Sequence, residues 1–450
     1  MLIVRPRLTD YYGIPASQAE TDFAIPFLDE DIPLYVDPFL LWRSPSLQDN
    51  ALHTQAVHAF NHLGRLHERN HQAAEDLLIR ISECDEVGLG DSHNRRGKRI
   101  GREKAEEILS LFKKVPEYAT VGFAHFEEIQ FYVESIGSDR ISDICCSFIK
   151  SFLIDYTIDQ CNRLGIPTSA IDVPVYDYKS SSLAAERVQL PTDPELRRPI
   201  ILVPKRWLRY KPFLNFDDYY KGFHKPEDRP PQRAEVLSYN RENYGVVRSF
   251  VKKKELERDT CSSDPLFTQI PITSARASLK AIRQLPTGIK NANDKTYEKE
   301  AGRLLASLLY PQLDFAAAQS RTEDGVLIRD LVFYNTKNHL LLQDLWDTYG
   351  SRQIVFELKN VREIERDHIN QLNRYLSENF GKFGILLTRN GLKTPMMKNT
   401  TQLWSGQRKC IIAVTDDDLE LMVELFDGRQ RDPIDVINKK YVEFLRACPS

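Results

Sequence analysis

The chain predicts an α/β protein, a mostly helical N-terminal region followed by a mixed β-sheet flanked by helices. Three observations carry this. The first part holds long stretches without proline and with apolar residues at helical spacing. Prolines then crowd at positions 174, 191, 194, 199, 204, 212, 226, 230 and 231. From about residue 295, short apolar runs alternate with amphipathic stretches. At 450 residues the chain accommodates two or three domains. The pattern divides it into residues 1–175, a helical recognition, regulatory or partner-binding region; 176–294, a proline-rich connector and helical segment; and 295–450, the α/β domain.

Along the first region, Ser46–Ile81 is free of proline, Lys104–Lys114 reads as a helix, and Asp139–Leu164 reads as one buried on more than one side, with Ile141, Ile144, Phe148, Phe152, Ile154, Tyr156 and Ile158. In the middle region Ile200–Val203 is a candidate short strand. Residues 235–295 are polar and helix-like, with Lys252, Lys253 and Lys254 on a solvated face. Next, Tyr297–Leu309 is an amphipathic helix, and strands are expected at 313–319, 325–334 and 353–359. A helix at Ile364–Asn379 separates these from strands at Phe383–Thr388 and Cys410–Val414. Thr415 or Asp416 then caps a helix at Asp418–Phe426. The first three strands are close enough for a meander, and the helix before Phe383 permits a parallel crossover.

Composition narrows the function classes. The net charge of −3 excludes a globally basic nucleic-acid coat, so any such surface is local. No apolar run has membrane-spanning length, and Met1–Tyr12 lacks the apolar core of a signal peptide. The cysteine count of 7 is odd and no C-x-x-C occurs, which fits reduced thiols in a cytoplasm.

The chemistry concentrates on two apolar strands. Side chains two apart on a strand share a face, so Glu357 and Lys359 point together while Phe356 and Leu358 enter the core. Asp330 lies on the preceding strand. Two acids and an amine at adjoining strand ends can hold a divalent cation and a water.

This order of elements and acids resembles the PD-(D/E)xK nuclease superfamily, with its restriction-endonuclease-like fold, over roughly residues 295–430. The resemblance makes Asp330 the "PD" acid, with Arg329 in place of the proline, and Glu357-Leu358-Lys359 the (D/E)xK element. The acid on the opening helix is Glu298 or Glu300; Glu298 is favoured because it follows the apolar Tyr297. Gln371 takes the polar position on the next helix, and the segment Thr336–Gly350 accounts for the long spacing from Asp330 to Glu357. The implied cofactor is Mg²⁺ or Mn²⁺, held by Asp330, Glu357, the Leu358 carbonyl and Glu298 directly or through water, with Lys359 assisting the attacking water. The implied reaction is hydrolysis of DNA to a 5′-phosphate and a 3′-hydroxyl, with RNA left open. By analogy the role is defence against foreign DNA, with a partner protein encoded nearby or a second copy of the chain, and no membrane. The alternative is a non-catalytic subunit that binds nucleic acid or protein.

Other motifs are less specific. Arg389 and Lys393 follow a predicted strand and could touch phosphates. The loop Gly88–Gly101 carries Arg95, Arg96, Lys98 and Arg99, and is either a surface loop or a nucleic-acid contact. His67-Glu68-Arg69-Asn70-His71 matches the zinc-protease pattern H-E-x-x-H, but its polar surroundings and missing third ligand argue against that chemistry. Cys145 and Cys146 sit in an apolar helix and read as buried thiols.

Overall fold

The computed structural model describes residues 2–3, 5–95, 97–222, 231–257, 275–321, 328–428 and 431–449. They form two compact units, Arg7–Thr268 and Gln269–Ser450, the latter joined by Met1–Pro6. The segment 176–294 is thus divided between the two units and is not a separate connector. Among the described residues no helix is long and apolar enough to cross a membrane. The described cysteines are free thiols, and Cys145 and Cys146 are buried; Cys261 lies outside the described residues.

In the N-terminal unit the long helical stretches are interrupted. Leu47–Arg69 and His71–Ile81 are separate helices, because Asn70 adopts an extended conformation and its side chain caps the second helix by accepting from the Ala73 N–H. Ser138–Phe148 and Lys150–Leu164 likewise break at Ile149. Within the proline-rich stretch, Ser169–Asp177 and Ser182–Leu190 form an antiparallel hairpin. Ile200–Val203 is buried but is not a strand. Pro199 and Pro204 bracket it, and its amides are satisfied singly: Ile201 N–H donates to the Glu86 carbonyl and Leu202 N–H to Thr157 Oγ1.

The C-terminal unit is built on a six-stranded sheet. Its spatial order is Leu2–Ile3, Leu313–Arg321, Ile328–Asn335, Gln353–Lys359, Phe383–Thr388 and Cys410–Thr415. The first four strands pair antiparallel, and the last two are added in parallel. This is the expected meander and crossover, with the short Leu2–Ile3 strand as an unanticipated edge.

Helices cover both faces because alternate residues of the central strands are apolar on both sides. Phe356, Leu358, Leu331 and Phe333 join Tyr297, Ala301 and Leu304 of the helix Asn293–Leu308 in the larger core. Val332, Val355 and Leu386 face the other way, onto Ile369, Leu372 and Tyr375 of the helix Arg366–Tyr375. Gly384 permits that approach, since a Cβ there would meet Leu372 Cδ1 at 2.9 Å. The segment Thr336–Gly350 contains the helix Leu340–Tyr349, and the segment after Thr388 contains Thr394–Gln407. The expected cap is Thr415: Asp418 N–H donates to its Oγ1 while its own N–H donates to Asp418 Oδ2.

Candidate active site

The described pairing between the Asp330 and Glu357 strands runs from Tyr334–Gln353 to Leu331–Phe356. Beyond it the Asp330 side chain takes over, and its Oδ2 accepts the Leu358 N–H at 2.8 Å. By strand alternation Asp330, Glu357 and Lys359 share the face of Val332 and Val355. Phe356 and Leu358 enter the opposite core, as expected.

Glu357 is fully buried, and Lys359 Nζ stands 2.6 Å from its Oε1 and 3.9 Å from Asp330 Oδ2. The buried carboxylate thus has the Lys359 ammonium as its close charged partner, and neither of its oxygens has a further hydrogen-bond donor among the described residues. Burial, reinforced by the Asp330 charge, pushes the Glu357 carboxyl up to about 7. Burial also raises Asp330, partly offset by Lys359 and the Leu358 amide. Burial alone would lower Lys359, but Glu357 and Asp330 carry it above the ordinary lysine value. Its amine is therefore charged at neutral pH here.

Glu298 belongs to this cluster and Glu300 does not. Glu298 is raised by burial, and the Asp330 charge adds to the shift. Lys295, one turn earlier, reaches both of its oxygens at 3.0 and 3.2 Å. Glu300 instead accepts from Ser278 Oγ at 2.9 Å. Gln371 donates to the Tyr375 hydroxyl at 3.2 Å. The charges of Glu357 and Asp330 act on that tyrosine, so the glutamine meets the site through it. Lys295, Tyr375 and His368, on which the Lys359 charge acts, went unnoticed in the sequence. The i,i+3 spacing of Lys295 and Glu298 was the available signal.

The donor set suits a hard divalent cation. Asp330, Glu357 and the Leu358 carbonyl are oxygen ligands, and Glu357 is a buried carboxylate whose close partner is the Lys359 ammonium. The three acids do not bring three ligand atoms within 4.8 Å of one another; among the described residues only His53, His125 and Glu127 do so.

Most of the expected phosphate contacts are engaged elsewhere. Arg389 Nε binds Asp416 Oδ2 at 2.6 Å, and its Nη1 donates to the Leu285 carbonyl and Asn360 Oδ1. Lys393 is exposed but pairs with Glu363 at 2.7 Å. Arg95 is buried in the N-terminal unit, donating to the carbonyls of Phe27, Asp85 and Glu86. These are corrections for Arg389 and Arg95: each guanidinium satisfies buried protein acceptors. Lys98 and Arg99 are exposed, and Arg96 lies outside the described residues. His67 and His71 stand on two helices, and His67 Nε2 lies 2.9 Å from His71 Nδ1, so the rings bind each other.

A family model described as a domain of unknown function (DUF8370) matches residues 13–215. The match lies within the N-terminal unit and does not reach the acid cluster. No curated protein and no solved structure matches the chain.

Proposed function

We propose that the C-terminal unit is a Mg²⁺- or Mn²⁺-dependent phosphodiester hydrolase of the PD-(D/E)xK type, acting on DNA. One observation carries the reading. A fully buried glutamate, ion-paired with a lysine at 2.6 Å, lies beside a second acid at the end of adjoining strands. A strand that only closed a core would bury an apolar residue there, because taking an acid–lysine pair out of water costs more than burying an apolar residue of the same size.

Asp330, Glu357 and the Leu358 carbonyl would hold the ion, with Glu298 acting through water. Bound there, the ion supplies Lewis-acid stabilisation of charge on the phosphate and lowers the pKa of a coordinated water. Lys359, charged at neutral pH, orients the attacking water and offsets phosphate charge rather than abstracting a proton. Lys295 holds Glu298 in place. Asp330 is fixed by the Leu358 amide, so the acid and the backbone that offers the carbonyl are one rigid piece. Defence against foreign DNA, with a partner protein or a second copy as regulator, is supported by the family resemblance alone.

The test is cleavage of plasmid and oligonucleotide DNA with Mg²⁺ or Mn²⁺, run beside Lys359→Ala and with RNA as the second substrate. Cleavage lost in the variant supports the reading; equal cleavage by both proteins sinks it.

A further inference from the structure

The N-terminal unit contains a second convergence of unpartnered groups. His53 lies on the helix Leu47–Arg69. His125 caps the short 3₁₀ helix Phe126–Phe131, and Glu127 is in its first turn. The three side chains are buried, at 5%, 1% and 1% exposure, and each offers a ligand atom within 4.8 Å of the other two. His53 Nε2, His125 Nδ1 and both Glu127 oxygens have no hydrogen-bond partner among the described residues. Buried polar atoms in folded proteins are almost always paired. Three buried residues that each carry an unpartnered polar atom and bring a ligand atom within 4.8 Å of the others form a candidate ligand-binding cluster.

The geometry points to a buried site for one Zn²⁺ ion held by His53, His125 and Glu127. The tautomer supports it. His125 Nε2 lies 3.2 Å from Glu255 Oε1, on the helix Tyr244–Leu256. That pairing places the ring proton on Nε2 and leaves the Nδ1 lone pair facing the cluster. Metal-bound imidazoles are commonly oriented by a carboxylate on the far nitrogen in this way.

The ligand set narrows the metal. Two imidazoles and a carboxylate suit Zn²⁺ or Fe²⁺ rather than the oxygen-preferring Mg²⁺ and Ca²⁺, and a closed site without open positions favours Zn²⁺. Glu127 offers both oxygens, which completes four donors without water. Phe39 stacks on His125 at 5.4 Å between centroids, and Trp42 meets it edge-on at 5.0 Å. Such a closed, aromatic-walled site is structural, tying the long helix to the 3₁₀ turn. His53, His125 and Glu127 all fall within the segment matched by the DUF8370 model.

The experiment uses the full chain, purified without chelator, and measures metal content by mass spectrometry. About one zinc per chain is expected. It should be lost in Glu127→Gln and His53→Ala, and retained in His71→Ala and Asp330→Ala, which address the other metal-ligand types in the chain. Should the first two variants fail to fold, zinc-edge absorption of the wild type decides. It should show nitrogen and oxygen neighbours at about 2.0–2.1 Å and no sulfur. Adding Zn²⁺ to the chelator-treated chain should raise its melting midpoint by several degrees. A chain that carries no zinc and does not respond to added Zn²⁺ overturns the site. So does zinc fully retained by folded Glu127→Gln, and iron in its place overturns the structural-zinc assignment.

Discussion

Asp330 Oδ2 accepts the Leu358 N–H at 2.8 Å, so one acid replaces a rung of the sheet ladder beside the lysine of the same site. The carboxylate has a structural and a proposed chemical role, and the two can be separated. Asp330→Asn keeps an acceptor for the amide but removes the charge. Its stability should stay within about 1 kcal/mol of wild type, the scale of one hydrogen bond. Cleavage should fall about 10²-fold or more, since a metal ligand carries several kcal/mol of transition-state stabilisation. Paired melting and nicking measurements check this, and an active, unfolding variant would reverse the assignment.

The opening helix offers two glutamates, and the structure separates them. Glu298 is held by Lys295 near Asp330, whereas Glu300 accepts from Ser278. Glu298→Ala should reduce cleavage and weaken Mn²⁺ binding. Glu300→Ala should cost about 1 kcal/mol of stability and leave cleavage unchanged. Loss of activity in the second variant alone would return the motif acid to Glu300.

Arg389 behaves as a clamp. Its guanidinium joins Asp416, the Leu285 carbonyl and Asn360, and Tyr297 completes the cluster through its hydroxyl to Asp416 Oδ1 at 3.0 Å. Arg389→Ala leaves Asp416 buried without its cation and should cost about 3–5 kcal/mol. Lys393→Ala removes only an exposed pair with Glu363 and should leave melting unchanged. Thermal unfolding of the two variants distinguishes a structural arginine from a phosphate-binding one. Equal, small effects would favour the phosphate role.

These contrasts mark where the sequence was legible. Strand alternation placed Glu357 and Lys359 opposite Phe356 and Leu358, and the Phe383–Thr388 strand has the expected bounds. Period-two burial is a local property and is visible in a short window. The helix Thr394–Gln407 was hidden by its polar composition, although Pro395 in its first turn was a usable start signal. Ile434–Ala447 was not anticipated as a helix. Whether a guanidinium faces water or carbonyls depends on distant chain, which is why Arg389 and Arg95 looked like surface cations. His53 and His125 come together from separate elements, with no spacing to betray them.

The fully buried Glu357 makes the unit's stability depend on pH in a direction that can be worked out. Its carboxyl is raised to about 7, first by burial and then by Asp330. Between the ordinary glutamate value and about 7 the folded state binds more protons than the unfolded one. Stability therefore falls as pH rises across that window, and the full penalty persists above it. Glu357→Gln removes the titration while keeping the shape. The variant should gain about 1–3 kcal/mol relative to wild type on moving from about pH 5 to about pH 8, the cost of ionising a buried carboxyl whose pKa is raised. Asp330 is also raised by burial and its charge acts on Glu357, so the difference between the two proteins reports the coupled acid pair, with Glu357 as its more strongly raised member. Mg²⁺ at the higher pH should then raise the melting point of wild type but not of Glu357→Gln, because the ion adds positive charge beside the ionised carboxylate. A stability difference that does not change with pH would mean that Glu357 is charged and satisfied throughout. A Mg²⁺ response equal in both proteins would place the ion elsewhere.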